Sequence, residues 1–501
     1  MVLVVFLFFV FGDHLIKDSA RVAGYGNKAN TFGVLPNKEE VSNIIHHKHA
    51  GANKVHKLEK GFDVKIKGKA AKVIEHYDPA TYAVKPYDFK GLQPIPKMSV
   101  EVGTEVKAGD KLFYDKNYPD IFFTAPVSGE IAEIRRGDKR AIEEIVILSD
   151  KRKEFKQFPK LDITTAPRSE IVSLLAESGA WSSFIERPFG LVAKLERVPK
   201  SIHISTFDTS PLAPDYAFIM KDRGTHFKKG VEVLKRLTDG KVHINLNAKK
   251  KPLPFYSEIK DIQLNWFEGK HPAGLPGIQI HHTDPIDKGD TVWTISPMDT
   301  AVIGKLFSEG IYDPERIVAV AGPQVNTPKY YKTYLSANLS GLMSSVKKEG
   351  TRFISGNVLT GKQVDPEKGH VGYYDHLISC IKEGDFYELF GWLIPSYPRP
   401  SASVTFPWTL FPFEEFDVNT NTHGEERAFV VTGEYEAVLP MDIYPVHLLK
   451  AILSRDFDQM EGLGIYEVIE EDFAICEFVC TSKQPAMAIL RDGLNYMKEQ
   501  S

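Results

Sequence analysis

The chain has 501 residues, a length that sets a prior of about three domains at roughly 150 residues each. Its 62 Lys and Arg against 66 Asp and Glu leave a net charge of −4, too balanced for a nucleic-acid coat or a polybasic membrane binder. With 43% apolar and 26% charged residues it is an ordinary globular protein with ample core, and 37 Gly with 31 Pro point to many turns. Three cysteines, Cys380, Cys476 and Cys480, exclude a disulfide scaffold and a cluster ligated by this chain alone. Walker-A, G-x-G-x-x-G, H-E-x-x-H and G-x-S-x-G strings are all absent.

Residues 1–11, MVLVVFLFFVF, form an unbroken apolar run, short of the roughly 20 residues a straight membrane helix needs. The run resembles a signal-peptide core but lacks a basic leader and a small-x-small cleavage site directly after it. Residues 12–53 are polar and aperiodic. Their cluster of His46, His47 and His49 can bind a metal, but an expected disordered tail carries it incidentally.

From His56 the character changes. KLEKGFDVKIKGKAAKVI alternates apolar and charged residues with period two, which predicts half-buried strands. Residues 96–147 then carry turn signals (VGT, AGD, KNYPD, VSG, RGD) every 8–12 residues, the spacing of a tightly turned all-β unit. RSEIVSLLAESGA (167–179) predicts a helix, SIHISTFD (201–208) a buried strand, THFKKGVEVLKRLTDG (225–240) a helix ending at Gly240, and KVHINLNA (241–248) another strand. Strand, helix and strand at this spacing predict an α/β layer with its ligand position at the carboxyl ends of the strands. RIVAVAGPQVNTPKYYKTYL and RFISGNVLTGKQV alternate again. Residues 386–501 hold seven Lys and Arg against nineteen Asp and Glu, a local charge of −12, and end in helical periodicity. So acidic a surface is repelled by anionic lipid, so a protein partner is expected.

Two resemblances emerge from these strings. Residues 96–147 resemble the biotinyl/lipoyl-type hammerhead, whose carrier lysine would fall on Lys116. Tyr118 and Pro119 enlarge the turn after it, so a retained fold without a carried group is expected. ERPFG (186–190), HPAGLPGIQIHHTDP (271–285), AGPQVNTP (321–328), GEYEAVLPMDIYPVHLLKAIL (433–453) and EEDFAICEFVC (470–480), in this order, resemble the A subunit of the sodium-translocating NADH:quinone oxidoreductase. The likeness runs from about His56 to the carboxyl terminus. It implies an α+β multidomain chain. A lipoyl-like β domain spans 56–158, an α/β (Rossmann-like) layer domain 159–310, a β-grasp unit of the soluble-ligand-binding type 311–385, and an acidic helical region 386–501. Residues 1–55 are then an extension or a start read too far upstream, with Val55 where a family initiator would fall.

The resemblance further implies a peripheral subunit on the cytoplasmic side of a bacterial inner membrane. It would belong to a six-subunit respiratory complex that passes electrons from NADH to ubiquinone and exports Na⁺. Its partners would be integral-membrane and flavin-carrying subunits, with no nucleic acid. No cofactor is expected to be bound covalently here; NADH, flavins and iron–sulfur would sit on partner subunits, with ubiquinone as substrate and no catalytic centre or metal on this chain. The layout also resembles the FMN-binding subunit of respiratory complex I and the C subunit of the Rnf complex. In those a glycine-rich loop lets bare backbone approach the FMN phosphate. Here GAWSSFIERPFG puts Trp181, Phe184, Ile185 and Glu186 in its place, so FMN or NADH binding in that manner is not expected.

A quinone needs donors for two carbonyls and apolar walls for its ring and tail. Arg187 and Phe189 supply a donor and a ring, with Trp181 beside them; His271, Leu275 and His281 surround a Gly/Pro-rich turn. The competing reading pairs Arg187 with a carboxylate and makes His281 a satisfied histidine at a strand end, where alternation turns only one of His281 and His282 inward. Three function classes follow: a quinone-associated subunit, a structural docking subunit, and an FMN- and NADH-binding dehydrogenase subunit. The Tyr330–Tyr331 and Phe411–Phe416 aromatics are expected in the core, and Lys249–Lys251 in a solvated turn.

Overall fold

The computed structural model describes residues 11–19, 49–51, 53–92, 95–391, 393, 395, 397–406 and 415–500. The residues 1–10 of the apolar run, His46, His47, and 411–414 lie outside the described residues. The parts are mixed α and β, and among the described residues no helix is long and apolar enough to cross a membrane.

The central element is a seven-stranded sheet. In spatial order it contains Val55–Leu58, Gln263–Gly269, Lys241–Asn247, Ser201–Ser205, Val292–Thr294, Ile185–Arg187 and Leu191–Val192. The first five are mutually parallel, Ile185–Arg187 runs antiparallel to them, and Leu191–Val192 pairs antiparallel with it. Numbered along the chain from Ser201, four of the parallel strands lie in the order 3-2-1-4, so the winding direction reverses between Ser201–Ser205 and Val292–Thr294. Such a reversal opens a crevice at the strands' carboxyl ends, because the loops leaving its two strands diverge to opposite faces of the sheet.

Helices Gly224–Lys235 and Pro297–Glu309 pack against each other more closely than side chains normally permit. A methyl at Gly230 would overlap the carbonyl of Thr300, and one at Gly304 the carbonyl of His226, so each helix presents bare backbone to the other. The first of these helices stops at Lys235, short of the expected Gly240. Residues 236–240 form the turn into the next strand, and a Gly240 methyl would strike the Lys200 carbonyl.

Two expected strands of the KLEKGFD stretch belong elsewhere than in the small β unit. Val55–Leu58 is the edge strand of the α/β sheet, Val55 opposite Trp266. Ile74–His76 lies beside Lys329–Tyr334 at the edge of a six-stranded sheet formed mainly by residues 315–382. Alternation sets which face a strand buries, but not which sheet it joins. The small β unit is built from a four-stranded sheet (Thr81–Val84, Ile142–Ser149, Gly129–Arg136, Glu105–Val106) and a three-stranded one (Lys97–Met98, Lys111–Tyr114, Phe122–Thr124). Lys116 is exposed in the turn between the last two strands.

The acidic carboxyl-terminal region is helical only from Glu434. Its principal helices are Pro445–Leu453, Glu470–Val479 and Ala486–Gln500, while the described part of 386–433 is irregular. Tyr330 and Tyr331 are buried, as expected.

Candidate functional site

A cleft of about 650 Å³ opens where the sheet reverses. Ser205, Phe207 and Asp208 follow one strand of the reversal and Thr294 to Pro297 follow the other. The Gly274–Pro276 turn completes the α/β wall. Ser355, Lys362 and Gly372–His376 form a second wall, Ile469–Glu471, Met487 and Arg491 a third, and Asp88 and Lys90 reach in from the small β unit. The small β unit, both larger sheets and the carboxyl-terminal helices therefore all contribute to one concavity.

Its electrostatics are lopsided. Six carboxylates line it (Asp88, Asp208, Asp299, Asp375, Glu470, Glu471) against three cations (Lys90, Lys362, Arg491). Asp375 accepts a hydrogen bond from Ser355 Oγ at 2.6 Å, and burial pushes its carboxyl up to about 6. Asp88 is raised by burial too, although the Tyr373 N–H donates to it at 2.9 Å. Of the helices that start at the cleft, Pro297–Glu309 has its amino end already filled. Asp299 N–H donates to Ser296 Oγ at 3.0 Å, Ser296 Oγ donates to Asp299 Oδ2 at 2.6 Å, and Pro297 has no N–H to offer. A carboxylate thus occupies the place where a phosphate would collect helix N–H groups.

The sequence-predicted residues separate in space. Leu275 lines the cleft. Arg187 lies behind its third wall, fully buried, with Nη1 donating to Asp472 Oδ2 at 2.8 Å and Nη2 to Glu471 Oε1 at 2.7 Å. This is the carboxylate-paired alternative, and it makes Arg187 a tie between the α/β sheet and helix Glu470–Val479. Phe189 is half-buried, and its carbonyl accepts from Arg491 Nη1 at 2.8 Å, next to Gly190, which faces the cleft. Trp181 does not reach the cleft. Its ring is fully buried against Phe184 and Trp293, and Nε1 donates to the Ala193 carbonyl at 2.7 Å. The loop that is glycine-rich in the flavin-binding likeness is here a block of aromatic core, with buried Glu186 held by Arg197 at 2.8 Å.

His271 is buried, with Nδ1 3.2 Å from Thr209 Oγ1, and burial lowers its pKa. His281 and His282 sit at the end of helix Pro276–Thr283, correcting the strand expectation. Pro276 starts that helix, and helical rotation turns both imidazoles toward the carboxyl-terminal region. His281 Nδ1 lies 2.5 Å from Glu467 Oε2, while its Nε2 accepts the Asp442 N–H at 3.0 Å; His282 Nε2 donates to the Pro440 carbonyl at 2.8 Å. His281 thus ties helix Pro276–Thr283 to the carboxyl-terminal region and does not line the cleft.

Metal-ligating residue types converge at His203, His243 and Asp284, whose ligand atoms lie within 4.8 Å of one another. Hydrogen bonds hold several of their polar atoms. Ser201 Oγ lies 3.2 Å from His203 Nε2 and donates to Asp284 Oδ2 at 2.5 Å, and Lys200 holds Asp284 Oδ1 at 3.0 Å. An amide relay begins at the Ala273 carbonyl, which accepts from Gln279 Nε2. Asn245 donates to Gln279 Oε1, Asn265 to Asn245 Oδ1, and Asn265 Nδ2 also lies 3.2 Å from His243 Nδ1. The relay directs an N–H at His243 Nδ1 and leaves the ring's proton on Nε2. These groups form a polar seam in which His203 Nδ1 is buried and without a partner among the described residues.

Sequence reasoning missed the second wall. GYYDH (372–376) concentrates Tyr373, Tyr374, Asp375 and His376 after a turn glycine, a density of polar aromatics that could have drawn attention.

Three family models match in sequence. They are the NqrA N-terminal barrel-sandwich hybrid domain over residues 56–150, the NqrA second alpha/beta domain over 166–312, and the NQRA C-terminal domain over 317–365. The A subunit of the Na(+)-translocating NADH-quinone reductase of Serratia proteamaculans is 38% identical over 454 residues, covering 89% of this chain and 99% of that protein. The counterpart in Rhodopirellula baltica is 37% identical over 462 residues, covering 90% and 100%. A solved NAD+-reducing [NiFe]-hydrogenase in its air-oxidized state aligns over 44% of this chain and 50% of that chain, with TM-score 0.30 and 12% identity. Near-complete, collinear matches of this identity place the chain in the NqrA family, the A subunits of the Na⁺-translocating NADH-quinone reductase, an oxidoreductase complex.

Proposed function

We propose that the chain is a peripheral subunit on the cytoplasmic side of the membrane complex, and that the cleft at the sheet reversal takes the quinone head group. The observation that carries this reading is the combination of cleft position and charge. A crevice at the reversal is where α/β sheets bind ligands, yet its excess of carboxylates and its Asp299-filled helix end oppose a phosphate-bearing cofactor. A neutral ligand with two carbonyl acceptors suits it better. Asp375, protonated below about pH 6, is a donor facing the cleft, and Leu275, Ile295 and Phe207 supply apolar wall. Of the residues marked from sequence, Leu275 and the Arg187–Phe189 strand end stay in this reading; Arg187 acts through Glu471. Electrons would arrive from NADH through flavin and iron–sulfur groups on partner subunits. The small β unit is read as a lipoyl-type hammerhead without a carried group, the seven-stranded unit as Rossmann-like, and the 315–382 sheet as β-grasp.

The test uses the purified full chain. Its absorption spectrum is recorded, then a short-chain ubiquinone is titrated while binding is followed by calorimetry. A colourless protein with saturable binding, weakened about tenfold by Leu275→Asp, supports the reading. A flavin spectrum would assign the cleft to FMN instead. No binding would leave a docking subunit.

A further inference from the structure

Residues 386–413 differ from the acidic region around them. These 28 residues include nine aromatics and only two charges, Glu388 and Arg399. Both charges turn inward. Arg399 is buried, and its Nη1 donates to Glu388 Oε2 at 2.7 Å, while Nη2 donates to the Gly391 carbonyl. Around this pair the polar groups continue inside the loop. Asn419 Nδ2 donates to the Tyr397 hydroxyl at 2.8 Å, that hydroxyl lies 3.0 Å from His423 Nε2, and Asn421 Nδ2 donates to the Phe386 carbonyl at 2.6 Å.

Several of the described apolar side chains point the other way. Tyr387 is fully exposed, Leu389 is 86% exposed, and Phe390 and Leu393 are each 59% exposed. A loop with its ion pair inside and its Leu and Phe in water reverses the ordinary distribution. Exposed apolar surface of this kind marks a contact face. The two charges are already neutralised by each other, so covering the loop strands no ion.

We propose that the face formed by Tyr387, Leu389, Phe390 and Leu393 docks on the cytoplasmic surface of an integral-membrane subunit of the complex. Charge selects that occupant. The region carries −12 overall, which anionic lipid repels, whereas cytoplasmic loops of membrane proteins carry an excess of Lys and Arg. An apolar face on a region of net negative charge therefore fits an apolar patch beside basic loops. This inference rests on the reading of the chain as a peripheral subunit.

The experiment places the photo-crosslinking residue p-benzoylphenylalanine at Leu389 or Phe390 of the full chain in cells that hold the whole complex, with exposed Val102 as control. After irradiation of isolated membranes, a covalent adduct with one integral-membrane subunit is expected at 389 and 390 but not at 102. An adduct with lipid alone, with a flavin-carrying soluble domain alone, or no adduct overturns the proposal. In parallel, Leu389→Ser with Phe390→Ser is expected to lower membrane retention of the chain at least about tenfold with an unchanged melting curve. Retention equal to wild type refutes this surface. Loss of the unaltered chain from washed membranes refutes the peripheral-subunit reading instead.

Discussion

Arg187→Met tests the tie between the α/β sheet and the carboxyl-terminal helices. Arg187 and Asp472 are both essentially inaccessible, and the guanidinium reaches Asp472 and Glu471 at 2.8 and 2.7 Å. Met keeps the stem's volume but leaves the Asp472 carboxylate buried without its cation. Arg187 Nε and Asp472 Oδ1 already lack a partner among the described residues, so nothing nearby stands ready to compensate. Removing one member of such a buried pair costs about 3–5 kcal/mol. For a unit of this size that corresponds to a melting temperature lower by about 6 °C or more. The second half of the test is Arg187→Met with Asp472→Asn. The amide keeps an oxygen for the Ile469 N–H, now 3.0 Å from Oδ2, but carries no charge. The double variant should recover at least half of the loss, measured by calorimetry of the full chain. A single variant that melts within about 2 °C of wild type, or a double variant no better than the single, would refute the buried-charge argument.

Other expectations follow from the same structure. Gly304→Ala or Gly230→Ala forces a methyl into a helix backbone and should destabilise by about 1–3 kcal/mol or more, read as a lower melting temperature. Burial lowers His243 from 6.5 to about 4 and His203 well below 6.5, so the unfolded chain binds protons that the folded one refuses. Stability from His243 is therefore complete above about pH 6.5 and declines as pH falls toward 4, by up to about 3 kcal/mol. Urea midpoints between about pH 7 and 4.5 should fall accordingly, and a flat profile would contradict it. Burial pushes the Cys380 thiol up to about 12 and raises that of Cys476 well above its usual value, so neither should be alkylated by iodoacetamide at about pH 8 until urea is added, as mass spectrometry can show.

Period and spacing carried the local structure of the α/β unit: RSEIVSLLAES, SIHIS and KVHINLN form the helix and strands that their patterns predict. What could not be read locally is pairing at a distance. Arg187 meets Asp472 across 285 residues, and a carboxylate at that separation leaves no trace near ERPFG. The histidines of IQIHHT read as strand residues because a short apolar run fits either period, and Pro276 decides for a helix. Trp181 reads as a pocket neighbour from its place in the sequence, but the close contact with Trp293 draws it into the core. The cleft's polar wall comes from GYYDH, a turn-rich stretch without periodicity.

The edge strand Val55–Leu58 has a consequence for biosynthesis and for fragments of this chain. It leaves the ribosome about two hundred residues before its neighbour Gln263–Gly269 exists, so the α/β sheet cannot complete its edge until that neighbour and the strands beyond it have been made. A fragment cut at 159 would keep all the helices of the α/β unit, yet display the Gln263–Gly269 edge, with Trp266 and Phe267 on it, unpaired and open to a second copy. Soluble pieces of this protein are therefore expected only when the first four residues of the sheet travel with the rest, supplied in the same chain or as an added peptide.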